Sequence, residues 1–208
     1  MQSEQINYEQ EFKFDNATAD HWCYKNAVMK DDCDKIIEFA KDKWSSGAIG
    51  GEYNPDNPNV DKIVRKSDVV WCDDNDLYKM VWSYVNDANE CAKWKFQLDS
   101  CQTMQITRYQ VGGHYDFHID GNGFTREISN SDSCTNNKTR KLSMSIILND
   151  DYEGGEFEFF SYPQNKNLIK EKTGTVIVFP SYLQHRVRPV TKGIRYSLVV
   201  WFCGEPFI

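Results

Sequence analysis

The chain has 208 residues, of which 40% are hydrophobic and 14% aromatic, so it is long and apolar enough to bury the core of one globular domain. Its formal net charge is −7, which gives no indication of general phosphate binding and makes nucleic acid an unfavoured partner without a local basic patch. The longest apolar run, Leu198 to Cys203, is far shorter than the ~20 residues of a membrane helix, and the N-terminus lacks the pattern of a signal peptide. Seven cysteines without a C-x-x-C pair favour a reducing compartment, so we expect a cytoplasmic protein.

The first half of the chain has the apolar spacing of helices that pack on a sheet. Gly, Pro and Asn are concentrated in the loop between these elements, and acidic residues precede each predicted helix. The predicted elements, in chain order, are an arm containing Phe12, Phe14 and Trp22, a helix from Asp31 to about Ser45 ended by Gly47, a strand over 63–72, and a helix from about Leu77 to Trp94.

From residue 95 onward the pattern changes to short strands separated by turns. Within 141–148, four large apolar residues alternate with smaller ones, which predicts a strand with one well-buried face. Such a series favours a sandwich, jelly roll or small barrel. We therefore expect one α+β, mainly β domain over 1–208, with helical support over about 1–95 and a β-rich core over about 96–208. The predicted strands are 102–109, 115–120, 141–148, 156–160, 175–179, 186–190 and 195–203.

His118 and Asp120 form the first candidate pair for metal binding. Among four histidines, an Asp two positions later arises by chance about one time in three, so the spacing alone is weak evidence. On a strand, however, residues i and i+2 project from one face, and glycines on both sides of the pair place it at a strand end. Two imidazoles and one carboxylate can bind one face of an Fe(II) ion and leave positions open for an oxidant and a co-substrate.

His185 and Arg195 are the candidates for the second imidazole and for a co-substrate clamp. Considered alone, His185 has an alternative interpretation as a structural or surface histidine. A three-residue hairpin loop at 191–193, with Gly193 in the left-handed position, would pair His185 with Val199 and place His185 and Arg195 on one face. Their rungs would then lie roughly 13 Å apart at ~3.3 Å per residue, a gap that favours a five-carbon dicarboxylate such as 2-oxoglutarate.

Three further side chains are candidates for the same pocket. Ser197 would face the same way as Arg195, and Tyr109 could donate its hydroxyl to the same carboxylate. Trp201 continues this face and could form a wall of the metal pocket. For each of the three, the alternative interpretation is an ordinary core or barrel residue without a role in binding. The polar segment 121–139 directly follows the metal pair, which makes it a candidate lid or a disordered excursion.

The C-terminal half resembles the prolyl 4-hydroxylase-like branch of the 2-oxoglutarate/Fe(II) dioxygenases. The resemblance covers about residues 60–203 and is carried by RYQVGGHYDFHID (108–120), RKLSMSIILNDDYEGGEFEF (140–159) and GTVIVFPSYLQHRVRPVTKGIRYSLVVWF (174–202). It implies a double-stranded β-helix, or jelly roll, supported by N-terminal helices. It also implies Fe(II) as the metal, 2-oxoglutarate and O₂ as co-substrates, and ascorbate as a supporting reductant.

The resemblance also implies a role for each matching residue. The expected iron ligands are His118, Asp120 and His185; the expected co-substrate residues are Arg195, Tyr109 and Ser197; and the expected substrate residues are Arg140, Trp201 and Tyr115. The loop at 46–64 matches a segment that covers the substrate. A second co-substrate tyrosine of some relatives is replaced here by Ile147, so that contact is not expected.

Three functions remain open on this evidence. The first is a prolyl 4-hydroxylase acting on a proline-containing peptide or protein. The second is the same chemistry on a free amino acid, a small metabolite or a nucleobase, and the acidity of the chain disfavours the nucleobase. The third is a non-catalytic metal-binding β-barrel, against which Arg195 argues because a structural metal needs no carboxylate clamp.

Overall fold

The computed structural model describes residues 19–47, 63–124, 138–160, 168–169 and 172–208. The helices in these ranges are α1 (Lys30–Ala40) and α2 (Asn75–Cys91). The strands are β1 (Trp22–Tyr24), β2 (Ser45–Ser46), β3 (Arg65–Lys66), β4 (Asp68–Cys72), β5 (Ser100–Cys101), β6 (Met104–Tyr109), β7 (His114–His118), β8 (Thr139–Ile147), β9 (Glu153–Gly154), β10 (Phe157–Phe159), β11 (Leu168–Ile169), β12 (Val176–Pro180), β13 (His185–Val187), β14 (Val190–Lys192) and β15 (Arg195–Gly204).

Two antiparallel sheets pack face to face. The larger sheet has the order β1-β12-β8-β15-β6-β4-β2, with β5 paired to β15, and the smaller sheet has the order β11-β10-β13-β7-β3. A separate two-strand ribbon joins β14 to β9. Buried residues of both sheets, including Tyr109, Ile147, Phe157, Phe179 and Val187, form one apolar cluster between the layers. The expected mainly β jelly roll is therefore confirmed.

The helices cover the outer face of the larger sheet. Val81 and Val85 of α2 and Ile36 of α1 are buried in one cluster with Met144 and Ile146 of β8. Helix α2 begins as predicted from its acidic residues, because the Asp74 carboxylate accepts hydrogen bonds from the backbone N–H groups of residues 76 and 77 at 3.0 and 2.9 Å. Helix α1 ends at Ala40 rather than near Ser45, because Asp42 adopts a left-handed conformation with φ 58°.

The first half of the chain contributes more than helical support. The predicted strand over 63–72 is two short strands in different sheets, since β3 pairs with β7 and β4 pairs with β6. Trp22 lies in β1 at the edge of the larger sheet, as the predicted arm required. The division at residue 95 is therefore not a boundary between layers.

Strand β8 is buried on both faces, whereas its alternation predicted one buried face. Its large apolar residues face the helices, and Ser143, Ser145 and Ile147 are 0, 4 and 1% exposed on the other face. That second face points between the sheets, so its small residues mark an internal space rather than a solvent surface.

The predicted hairpin at 191–193 is wrong. Gly193 is left-handed, with φ 74°, but the chain uses this turn to pass from one sheet to the other. His185 pairs with His118 in the smaller sheet, while Arg195 pairs with Tyr109 in the larger sheet. The two side chains therefore share a space because the sheets face each other, and the estimated 13 Å rung separation does not apply.

Several expectations lie outside the described residues. These are Phe12 and Phe14 of the arm, most of the candidate covering loop (48–62) and most of the candidate lid (125–137). Among the residues that are described, no helix is long and apolar enough to cross a membrane.

Candidate active site

Three candidate metal ligands meet at one end of the space between the sheets. His118 and His185 occupy directly paired positions on β7 and β13, and the Asp120 backbone N–H donates to the Ser181 carbonyl at 2.9 Å. The Asp120 carboxylate lies 3.5 Å from His118 Nε2 and 3.6 Å from His185 Nε2. All three ligand atoms lie within 4.8 Å of one another. Three metal bonds of about 2.1 Å at right angles separate ligand atoms by roughly 3 Å, so small side-chain movements would complete a facial site.

Both imidazoles are held in the form that binds a metal. His118 Nδ1 lies 2.8 Å from the Asp116 carbonyl, and His185 Nδ1 lies 2.9 Å from the Leu183 carbonyl. Since a carbonyl oxygen can only accept a hydrogen bond, each Nδ1 carries the proton and each Nε2 keeps its lone pair. The backbone thus directs both Nε2 atoms towards Asp120.

The electrostatics of the site favour the same protonation states. Burial lowers the pKa of His185 to about 4, against the opposing effect of Asp120, so His185 is neutral near pH 7. Burial alone would raise the pKa of Asp120, but the neighbouring His185 and His118 and the Arg140 guanidinium hold it well below its usual value. An ionised Asp120 carboxylate beside the neutral His185 imidazole suits the binding of a divalent cation.

Aromatic rings fix the two imidazoles. Tyr115 stacks on His118 with ring centroids 3.5 Å apart, and Phe157 stacks on His185 at 5.2 Å. Phe179 contacts the His185 ring edge-on at 4.7 Å. These contacts restrict ring rotation and keep the ligand atoms in position before a metal binds.

Arg195 forms a second polar centre in the same space, on the larger sheet. It is 1% exposed, and its Nη1 donates to Ser197 Oγ at 3.0 Å. Its Nε and Nη2 atoms have no hydrogen-bond partner among the described residues. Buried donors are normally paired, so this free edge of the guanidinium is suited to an anionic ligand.

A cavity of about 770 Å³ joins the two centres, and all nine predicted site residues line it. On the substrate side expected from the sequence, the Arg140 guanidinium lies 4.2 Å from the centre of the Trp201 ring. Arg140 Nη1 also donates to the Asp120 carbonyl at 3.2 Å, which ties this wall to the metal ligands. Tyr115 also lines the cavity, and its ring stacks on that of His118.

Several polar and aromatic cavity residues were not identified as site residues from the sequence. Arg65 is 7% exposed and donates to Ser67 Oγ and to Gln105 Oε1 at 2.8 and 2.9 Å. Gln105, Thr107 and Trp71 line the cavity beside it. Alternation along the strand could have identified two of them from the sequence. Gln105 and Thr107 alternate with buried Met104 and Ile106, and so they share the strand face of Tyr109. Arg65 had no such signal, because its burial depends on packing between sheets.

The C-terminal half of the chain is similar to a known family. Residues 104–203 match the 2OG-Fe(II) oxygenase superfamily, and they contain all nine predicted site residues. A PKHD-type hydroxylase of Stenotrophomonas maltophilia (strain R551-3) is 35% identical over 97 residues, which cover 47% of this chain. The match spans 41% of that protein, so the aligned part of the chain corresponds to about two fifths of its relative.

Solved structures share the fold of this chain. The viral collagen prolyl hydroxylase of Paramecium Bursaria Chlorella virus-1, in its 2OG complex, has a TM-score of 0.63 at 20% identity and covers 89% of this chain and 97% of its own. A Trichoplax adhaerens prolyl hydroxylase, in complex with a hypoxia inducible factor peptide fragment, has a TM-score of 0.61 at 14% identity, with coverages of 88% and 83%. These likenesses confirm the double-stranded β-helix.

The superfamily implies Fe(II), 2-oxoglutarate and O₂, and the cavity fits the first two. Asp120 and the two Nε2 atoms form a nitrogen and oxygen donor set suited to Fe(II). The free edge of Arg195 offers two buried donors to a carboxylate elsewhere in the same cavity. A metal site and a separate anion site in one enclosed space are what a chelating dicarboxylate requires.

Proposed function

We propose that this chain is a 2-oxoglutarate- and Fe(II)-dependent dioxygenase that hydroxylates a prolyl residue of a peptide or protein, with release of succinate and CO₂. The observation that carries the proposal is the meeting of two polar centres in one cavity. One is the ligand set of His118, Asp120 and His185, and the other is the free guanidinium edge of Arg195. A purely structural metal site would need the first centre but not the second.

Each site residue has a proposed role. His118, Asp120 and His185 hold Fe(II) through the two Nε2 atoms and the carboxylate. Arg195, oriented by its hydrogen bond to Ser197 Oγ, binds the distal carboxylate of 2-oxoglutarate, and Tyr109 borders the same region. The remaining cavity wall receives the substrate, through residues that include Arg140, Trp201 and Tyr115.

The bound metal and co-substrate would supply an oxidant derived from O₂ that inserts one oxygen atom into a substrate C–H bond. The protein contributes position and environment. His118 and His185 are fixed by their carbonyl and aromatic contacts, so the ligand set needs little rearrangement. Phe157, Phe179 and Val187 line the cavity with apolar surface, which limits water beside the reacting centre.

A peptide or protein substrate is supported by the fold shared with solved prolyl hydroxylases, one of which is in complex with a peptide fragment. Trp71 is 55% exposed and also lines the cavity, so an aromatic surface leads from solvent towards the site. Free amino acids, small metabolites and nucleobases remain the alternative substrates of the same chemistry. Ascorbate as reductant and a cytoplasmic location stay predictions.

The test is incubation of the full chain with Fe(II), 2-oxoglutarate, ascorbate and a library of proline-rich peptides. Mass spectrometry should detect the gain of one oxygen atom on proline, with an equal amount of succinate. Matched peptides with alanine in place of each proline are the controls. Turnover of a free amino acid or metabolite, with every peptide unchanged, would replace the prolyl substrate by the alternative. Metal binding without binding or consumption of 2-oxoglutarate would favour the non-catalytic barrel.

A further inference from the structure

The unpartnered buried side-chain polar atoms of the described residues all belong to side chains of one cavity. They are Thr107 Oγ1, Arg195 Nε, Arg195 Nη2 and Trp201 Nε1. All three residues line the cavity that contains the candidate metal ligands. Because buried polar groups are almost always hydrogen-bonded, these atoms mark positions where a bound molecule completes the bonding.

Strand register brings the hydroxyl of Thr107 next to the guanidinium of Arg195. On β15, Ser197 lies between its partners Thr107 on β6 and Ile147 on β8. Directly paired residues have Cβ atoms about 5 Å apart on the same face of a sheet. Arg195 Nη1 donates to Ser197 Oγ at 3.0 Å, so the guanidinium extends over this row. Thr107 therefore lies in the row of side chains over which the guanidinium extends.

Ile147 and Val69, the outer neighbours in this row, cannot donate a hydrogen bond to a carboxylate. Ile147 is apolar and 1% exposed, and Val69, which pairs with Thr107 on the opposite side, is also apolar. Trp201 Nε1 belongs to a different part of the cavity, because Trp201 is six positions from Arg195 on β15, or roughly 20 Å at ~3.3 Å per residue. Within the described part of this row, Thr107 is the polar side chain left without a partner.

We propose that Thr107 donates a hydrogen bond to the distal carboxylate of 2-oxoglutarate, beside the guanidinium of Arg195. Nε–H and Nη2–H are parallel donors on one edge of the guanidinium, and they match the two oxygens of a carboxylate. Each oxygen keeps a further lone pair, and the Thr107 hydroxyl supplies a third donor from the adjacent strand. The inference rests on the proposed function and adds a co-substrate residue to it.

The decisive variant is Thr107→Val, which removes the hydroxyl with little change of shape and leaves an apolar group beside Val69 and Ile147. Thr107→Ser retains the hydroxyl. Thr175→Val is the matched control, because Thr175 is also buried, at 1% exposure, but does not line the cavity. Calorimetric titration of Mn(II)-loaded protein measures co-substrate binding without turnover.

We expect Thr107→Val to weaken binding of 2-oxoglutarate about tenfold, in line with the loss of one hydrogen bond to a charged group. Thr107→Ser and Thr175→Val should bind within about twofold of the unmodified chain, given the usual scatter of such measurements. The second titrant is 2-oxopentanoate, which has the same chain length but a methyl group in place of the distal carboxylate. Its affinity should not fall in Thr107→Val.

Two results would overturn the role of Thr107 while leaving the proposed function intact. One is unchanged 2-oxoglutarate affinity in Thr107→Val, and the other is an equal loss of affinity for both titrants. Failure of the unmodified, Mn(II)-loaded chain to bind 2-oxoglutarate would instead overturn the proposed function and this inference with it.

Discussion

His118 and His185 receive their orientation from backbone carbonyls rather than from other side chains. The backbone carbonyls of Asp116 and Leu183 accept hydrogen bonds from Nδ1 of His118 and His185 at 2.8 and 2.9 Å. The backbone therefore keeps the proton on Nδ1 and leaves Nε2 of each ring available to a metal. Substitution of neighbouring side chains leaves these carbonyls in place. The ligands themselves are therefore the sensitive positions.

Replacing His118 or Asp120 by alanine should abolish the conversion of 2-oxoglutarate to succinate that occurs without a prime substrate, because two remaining ligands hold the metal weakly. Succinate formation and Mn(II) titration measure the two effects. Asp116→Ala is the matched control, since its carboxylate is exposed and bonds to the backbone N–H of Phe117 rather than to the cavity. Undiminished succinate formation in either ligand variant would show that the ligand set is misassigned.

Arg195→Ala should act mainly on the co-substrate. The variant lacks the buried guanidinium that would pair with the distal carboxylate of 2-oxoglutarate. We therefore expect the KM for 2-oxoglutarate to rise on the order of 100-fold, with a smaller change in kcat. Initial rates over a range of 2-oxoglutarate concentrations separate the two constants. Arg108→Ala is the control, because Arg108 pairs with Asp68 and does not line the cavity. An unchanged KM in Arg195→Ala would contradict the proposed clamp.

Strands β10 and β13 are joined by an ion-pair cluster on the face opposite the cavity. Glu158 Oε2 accepts from Arg188 Nε and Arg186 Nε, each at 2.7 Å. On the other face, the same two strands carry Phe157 and His185, which stack on each other. The cluster therefore stabilises the pair of strands that positions one metal ligand.

The hydrogen bonds from Arg188 and then Arg186 hold the pKa of Glu158 below its usual value of 4.5. A carboxyl group with a depressed folded-state pKa stabilises the fold above its unfolded pKa, and that stability is lost as the pH falls through the folded value. Glu158→Gln should thus lower the free energy of unfolding by about 1 kcal/mol at pH 7, and the difference should shrink below about pH 4.5.

Urea unfolding of both proteins at several pH values checks this prediction. Glu153→Gln is the control, because its ion pair with Lys192 has side chains that are 64 and 75% exposed and should contribute less. A difference between Glu158→Gln and the unmodified chain that stays constant down to pH 3 would contradict the assignment.

At the scale of the elements, the sequence predicted most strands and both helices but not their partners. Alternation in β8 predicted its buried apolar face, yet Ser143 and Ser145 were indistinguishable from residues on a solvent face. Gly193 correctly indicated a turn. Whether that turn closes a hairpin or carries the chain between sheets depends on long-range pairing, which local sequence does not encode.

The whole molecule brings the site together from two sheets. His118 and His185 belong to the smaller sheet, Arg195 and Tyr109 to the larger one, and the cavity of about 770 Å³ lies between them. Ligands that contact both sheets bind the folded state and not the unfolded chain, so they stabilise the entire domain.

Thermal unfolding should therefore show coupled stabilisation by metal and co-substrate. With Mn(II) present, 2-oxoglutarate at about 100 times its Kd should add about 2.7 kcal/mol, or on the order of 5–10 °C in Tm. Without metal the increase should be much smaller, because the chelating end of the co-substrate lacks its partner. Glutarate, which lacks the 2-oxo group, is the control. An equal rise in Tm with and without Mn(II) would contradict joint binding in one cavity.

The sequence by itself determined the candidate metal ligands, the candidate carboxylate-binding arginine and the β-rich class, because these depend on residue chemistry and on alternation along single strands. The tertiary structure decided how they meet. His185 pairs with His118 rather than with Val199, and Arg195 faces them from the opposite sheet. Arg65 acquired its place in the cavity only through packing, since contacts between strands distant in sequence arise when the sheets close on each other.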